Sequence, residues 1–152
     1  MCKLRDYRQS DEVHVFRLMK EVLAIYGLKT NPEVTDKDIS DIQRNYIDNK
    51  GYFAILEDKG SVVGSYGIFR LSDDICELRK MYLKKEYQGR GLGKLMMEDA
   101  LTKAKALGFK KMVLETNSIL KEAIGLYRKY GFKNFVPEHL SDRCDCAMER
   151  DI

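Results

Sequence analysis

The chain has 152 residues, 44% of them apolar and 34% charged, with a formal net charge of +3. That length suits one domain, 1–152, and lets about 70% of the unfolded surface be buried, so no disulfide or metal staple is required. So small a charge excess lacks the concentrated basic face that nucleic acid calls for, and no apolar run approaches the ~18 residues of a membrane span. Neither nucleic acid nor membrane is therefore expected as a partner. The opening Met1-Cys2-Lys3-Leu4-Arg5-Asp6 has no apolar core of the signal-peptide kind. Four cysteines without regular spacing read as reduced thiols, which makes the cytoplasm the expected location.

Residues 4–7 read as a short first strand. Ser10 is the candidate N-cap of a helix carrying Val13, Phe16, Met19, Val22, Leu23 and Tyr26 at helical spacing, with Gly27 as its stop. Residues 28–34 form a loop. Thr35-Asp36-Lys37-Asp38 opens a second helix, with Ile39, Ile42, Tyr46 and Ile47 on its apolar face. A hairpin follows, with strands at 52–56 and 61–69 around the turn Glu57-Asp58-Lys59-Gly60. The chain turns again at Ser72-Asp73-Asp74 into a strand at 75–83. A helix from Leu92 to Gly108, a strand at 111–116, a helix at 119–130 and short strands at 133–136 and 144–148 complete the order. Early strands without helices between them, then strand and helix in alternation, predict a mixed sheet with helices on its faces.

The junction before the Leu92 helix concentrates the chemistry. Tyr87-Gln88-Gly89-Arg90-Gly91-Leu92-Gly93-Lys94 follows a strand and enters a helix. First-turn amides of a helix have no internal partners, and glycines let successive amides point into one concavity, so an anion site is expected. Arg90 and Lys94 add charge beside it, although Arg90 reads equally well as a solvated surface residue. A mononucleotide P-loop is excluded because Leu95 follows Gly93-Lys94. A dinucleotide fingerprint fits poorly because Lys94 stands where its last glycine belongs.

The pattern present is Gln-x-x-Gly-x-Gly, as Gln88-Gly89-Arg90-Gly91-Leu92-Gly93. It is preceded by Glu77-Leu78-Arg79-Lys80-Met81-Tyr82-Leu83 and followed by Ala123-Ile124-Gly125-Leu126-Tyr127-Arg128-Lys129-Tyr130-Gly131-Phe132. In these three elements the sequence resembles the GNAT N-acetyltransferase superfamily. The motifs cover about residues 75–148, and the first half matches in element order alone. The resemblance implies an α/β (α+β mixed) GNAT fold: a central mixed, mostly antiparallel sheet of about seven strands, flanked by about four helices. The sheet is expected to splay between the fourth and fifth strands.

It further implies acetyl transfer from acetyl-coenzyme A, as cosubstrate, to a primary amine. Backbone amides at Met81, Tyr82 and Leu83 would bond the pantetheine arm. Gln88, Gly89, Arg90, Gly91, Leu92, Gly93 and Lys94 would hold the pyrophosphate. Tyr127 falls on the position of the general acid and reads otherwise as a core aromatic. Glu77 is the candidate general base; the other reading is a cross-strand ion pair with Arg79 and Lys80. Asn117 binds the pantetheine or caps the next helix, because the family's usual asparagine position holds Leu120. The amine is expected where the loops at 28–34 and 136–143 meet. Glu33, Asp36, Glu138 and Asp142 there favour a cationic acceptor. A homodimer is a further expectation carried over from the family.

No metal is expected. Cys144-Asp145-Cys146 with His139 lacks a second ligand pair, and His14 lies within the first helix. The competing function on the same fold is a sensor that holds an acyl-coenzyme A without turnover.

Overall fold

Strands of this chain alternate their side chains between two apolar layers. In the computed structural model, which describes residues 1–152, Phe53 and Ile55 of the first hairpin strand pack beneath one set of helices. Ala54 and Leu56 pack beneath the other. One layer contains Val15, Met19 and Leu23 from α1 (Glu12–Ile25). The other contains Met96, Met97, Ala100 and Ala104 from α2 (Leu92–Ala106), with Tyr127 of α3 (Lys121–Lys129). Each fully buried methionine there contributes roughly 1.5–3 kcal/mol by leaving water.

The seven strands are β1 (Cys2–Asp6), β2 (Tyr52–Asp58), β3 (Ser61–Arg70), β4 (Ile75–Leu83), β5 (Lys111–Thr116), β6 (Lys133–Phe135) and β7 (Cys146–Asp151). They pair in the order β1-β2-β3-β4-β5-β7-β6, and all neighbours are antiparallel except β4 and β5. The expected mixed, mostly antiparallel sheet of seven strands is therefore present.

Two local departures differ from the sequence reading. The segment after residue 35 is a 3-10 turn (Lys37–Asp41) running into a π-helical turn (Gln43–Ile47), not a regular helix. Its apolar face is nevertheless buried at Ile39, Ile42 and Tyr46. Asp36 turns inward to bind cations, and no side chain caps the turn. The last strand begins at Cys146, not Cys144. The Cys144 amide closes a turn onto the Ser141 carbonyl at 2.9 Å, and the Asp145 carboxylate binds the Ser118 amide at 2.7 Å and hydroxyl at 2.6 Å.

Two devices open the middle of the sheet. The parallel ladder between β4 and β5 runs only through Ile75–Lys111, Cys76–Met112 and Glu77–Val113. Beyond it, β4 stays paired with β3 as far as Leu83, and β5 stays paired with β7 as far as Thr116. The sheet therefore splays between its fourth and fifth strands. The second device is a bulge. Register between β3 and β4 shifts between Ser65 and Gly67, opposite Lys80, whose φ is 55°. A positive φ is costly for any residue with a Cβ, and the Ser65 hydroxyl secures the bulge by donating to the Lys80 carbonyl at 2.8 Å.

Candidate active site

Two cavities meet at the splay. The smaller, about 190 Å³, is lined by Gln88, Gly89 and Gly93 from the glycine turn, by Leu83, and by Ala123 of α3. The larger, about 400 Å³, opens on the other side between residues 28–35 and 139–144. Leu23, Met81, Tyr82, Leu120 and Tyr127 line both.

The glycine turn leaves a row of backbone amides unpaired. Gly89 and Gly91 have φ of 78° and 79°, values that side chains rarely adopt. Amides from Gly89 to Gly93 donate to no group of the chain, so their hydrogens are free at the start of the 15-residue α2. The Gln88 amide group donates to the Leu83 carbonyl at 3.0 Å and ties the turn to the end of β4. Arg90 lies over the Tyr87 ring, 5.0 Å from its centre, and donates to the Glu86 carbonyl at 2.9 Å. Lys94 is exposed one turn further on.

Tyr127 sits where the cavities join, its ring edge-on to Phe132 at 6.0 Å. Its hydroxyl has no partner in the chain. Burial pushes its pKa up to about 12, with the neighbouring Cys144 thiol adding a smaller push. The phenol therefore keeps its proton throughout the neutral range.

Glu77 points into the larger cavity from β4. Its Oε1 accepts from Arg79 at 2.6 Å, which is the ion pair that the sequence offered as the alternative reading. Oε2 has no donor and retains solvent contact. Burial raises the Glu77 carboxyl above the usual carboxylate range, and the Arg79 charge only partly opposes it. The ion pair and a cavity-facing oxygen thus coexist in one side chain.

Asn117 is placed at the β5 end of the larger cavity. Its Nδ2 donates to the Arg143 carbonyl at 2.8 Å, and its Oδ1 accepts from the Ile119 amide at 3.0 Å. The side chain thus braces the entry to α3 and faces away from the smaller cavity, where the turn amides lie.

None of Glu33, Asp36, Glu138 or Asp142 lines the larger cavity. Glu33 and Asp142 line a separate cavity where residues 27–35 meet residues 142–143. Asp36 is fully buried. It accepts from both Arg143 nitrogens, from Lys80 Nζ and from the Asn31 amide, each at 2.7 Å. Burial alone would raise its carboxyl, but the Arg143 hydrogen bonds and the Lys80 charge outweigh that and hold it at about 2. This carboxylate joins the loop before the 3-10 turn, the bulge in β4 and the loop before β7, which are the walls of the larger cavity.

Sequence reading overlooked Glu115, which lines that cavity from β5. The available signal was alternation in Lys111-Met112-Val113-Leu114-Glu115-Thr116. Glu115 shares a face with Val113, and Val113 pairs with Glu77.

The description of the family model that matches residues 17–132 is the acetyltransferase (GNAT) family. The chain is 35% identical over 153 residues to an uncharacterized N-acetyltransferase, YjgM, of Escherichia coli strain K12. That match spans 97% of this chain and 89% of the relative. It is 31% identical over 102 residues to human N-acetyltransferase 8B, spanning 63% of this chain and 45% of that one. In fold it superposes on an acetyltransferase of the GNAT family from Staphylococcus aureus Mu50 with a TM-score of 0.93, at 19% identity and 99% coverage of both chains. The PaiA N-acetyltransferase of Thermoplasma acidophilum, solved with coenzyme A, superposes with a TM-score of 0.80 at 19% identity, covering 100% of this chain and 99% of that one. On a family match over more than two thirds of its length, the chain belongs to the GNAT acetyltransferases.

Proposed function

We propose that the chain moves an acetyl group from acetyl-coenzyme A to a primary amine of a small molecule or peptide, by direct attack in a ternary complex. The observation that carries this reading is the junction of two cavities at Tyr127. One leads to a row of free amides and the other to a buried carboxylate with an open oxygen.

The residues present fit acetyl-coenzyme A. The unpartnered amides of Gly89 to Gly93, the start of α2 and the cations Arg90 and Lys94 suit a diphosphate. Beyond Glu77 β4 has no ladder with β5, so those backbone groups between Met81 and Leu83 that face β5 have no strand partner, and a pantetheine arm can hydrogen-bond there. Gln88 and Leu92 hold the turn between these two sets. Asn117 enters as the brace at the far wall. The cosubstrate supplies an activated acyl carbon and a thiol leaving group.

Glu77 takes a proton from the acceptor ammonium, directly or through one water, and burial, by raising its carboxyl above the usual range, favours that uptake. The freed amine attacks the acyl carbon, so a C–N bond forms as the C–S bond breaks. Strand amides near Met81 stabilise charge on the carbonyl oxygen. Tyr127 gives its proton to the departing sulfur and is reprotonated, through water, by the second proton that the acylated nitrogen loses. The four free cysteines accord with a reducing compartment, and we place the protein in the cytoplasm as one domain.

Calorimetry with coenzyme A, followed by thiol release from acetyl-coenzyme A across an amine panel, tests this reading. Submillimolar binding and amine-dependent release are expected. Binding without release would leave a sensor, and no binding would remove the proposal.

A further inference from the structure

We infer that Glu115 is the group that receives the acceptor's ammonium, and that the acceptor is therefore a cationic alkylamine, not an amino acid bound by its carboxylate. This rests on the acetyl-transfer reading above and names the substrate class of that site.

The inference starts from which charges in the larger cavity are already matched. Arg79 holds Glu77 at 2.6 Å, and both Lys80 and Arg143 hold Asp36 at 2.7 Å. Lys80 also lies 3.3 Å from Asp38, and Arg79 lies 3.8 Å from the same residue. Four carboxylates, Asp36, Asp38, Glu77 and Glu115, thus face three cations. Glu115 is the member with no cationic partner. An anionic substrate group would have to displace one of these pairs. A cation finds its counter-charge waiting.

Geometry says which oxygen is available. Glu115 Oε1 accepts from the Ser141 amide at 3.0 Å and from the Ser141 hydroxyl at 3.1 Å, so the carboxylate is held in one orientation. Its Oε2 has no partner in the chain and keeps solvent contact, and Glu115 is part of the cavity wall. Across the splay the Glu77 side chain is nine-tenths buried, 10% exposed, and its Oε2 also lacks a donor. The β4–β5 register puts Glu77 opposite Val113, one strand alternation before Glu115, so both open oxygens lie on the same face. The Glu115 charge contributes to raising the Glu77 carboxyl, as expected for neighbours. Their unequal surroundings divide the work: Glu115 binds the charged amine and Glu77 takes its proton. Half of the lining residues are apolar, with Leu28, Leu120 and Leu140 suited to an aliphatic body.

The test compares wild type, Glu115→Gln and Glu115→Asp with n-alkylamines from propyl to octyl. Methoxyamine, which is uncharged at neutral pH, serves as the counterpart. Thiol release gives KM and kcat, calorimetry gives coenzyme A affinity, and the melting temperature checks the fold. For Glu115→Gln the expected result is an alkylamine KM raised at least tenfold, with kcat within about threefold, an unchanged KM for methoxyamine and unchanged coenzyme A affinity. Glu115→Asp should recover part of the loss. An alkylamine KM equal to that of wild type overturns the assignment. A KM that rises equally for methoxyamine also overturns it and leaves Glu115 as a brace for Ser141. If wild-type protein binds coenzyme A but releases no thiol with any amine, the acetyl-transfer reading fails first and takes this one with it.

Discussion

Replacing Asp36 with asparagine removes one charge and almost no volume, at the point where three walls of the larger cavity join. Asp36 is fully buried and receives four hydrogen bonds of 2.7 Å, three of them from the cations Lys80 and Arg143. Removing one partner of a buried ion pair costs about 3–5 kcal/mol, because the other charge is left uncompensated. Two contacts soften the loss here. Asp38 lies 3.3 Å from Lys80, and Arg143 keeps its bond to the Lys29 carbonyl at 3.1 Å. The lower end, about 3 kcal/mol, is therefore expected. At about 2–4 °C per kcal/mol for a chain of this size, melting should fall by roughly 6–12 °C.

The acid side gives an independent check. The folded Asp36 carboxyl is held at about 2, against about 3.9 in an unfolded chain. It binds its proton less tightly when folded, so its contribution of about 2.5 kcal/mol is complete above pH ~4 and is lost as pH falls through 2. Urea titrations of wild type and Asp36→Asn between pH 2 and 7 should therefore converge at the acid end. A loss below about 1 kcal/mol at pH 7, with an unchanged m-value, would refute the clasp. In Asp36→Asn/Arg143→Met the two costs should sum to more than the double variant loses, because both remove the same pair.

Three further outcomes follow from the site. Tyr127→Phe should lower kcat by well over tenfold while coenzyme A affinity and melting temperature stay near wild type; an unchanged kcat would remove the proton-donor role. Glu77→Gln should remove the acidic limb of the kcat/KM pH profile, a limb expected above the ordinary carboxylate range because burial raises this group; survival of that limb would reject the base. Gly93→Ala should raise stability by up to about 1 kcal/mol, since its Cβ would meet only Leu126 at an ordinary 3.6 Å in a helical position. The same methyl would narrow the smaller cavity, which Gly93 lines, so coenzyme A affinity should fall at least tenfold; equal affinity would place the phosphates elsewhere.

The strand-and-helix order and the glycine turn were legible because they are local properties. Period-two alternation in 52–56, helical spacing from Leu92, and glycines where φ must be positive are written along the chain itself. The motifs around Gln88 and Tyr127 added the splayed sheet by resemblance, and the short β4–β5 ladder bears this out. What failed locally was the helix expected from Thr35. Its apolar positions were read correctly, yet Asp36 is drawn inward by Lys80 and Arg143, the latter 107 positions away.

Sequence by itself therefore determined the layers, the glycine turn and the aromatic and acidic candidates, because each depends on neighbours within a few residues. Only the tertiary structure decided which charges are neutralised. Glu77 gained a fixed partner and an open oxygen, Asp36 changed from a surface acid into a buried clasp, and Glu115 emerged as the unmatched charge. Such pairings arise from distances between groups on separate strands and loops, and Coulomb energy follows those distances rather than positions along the chain.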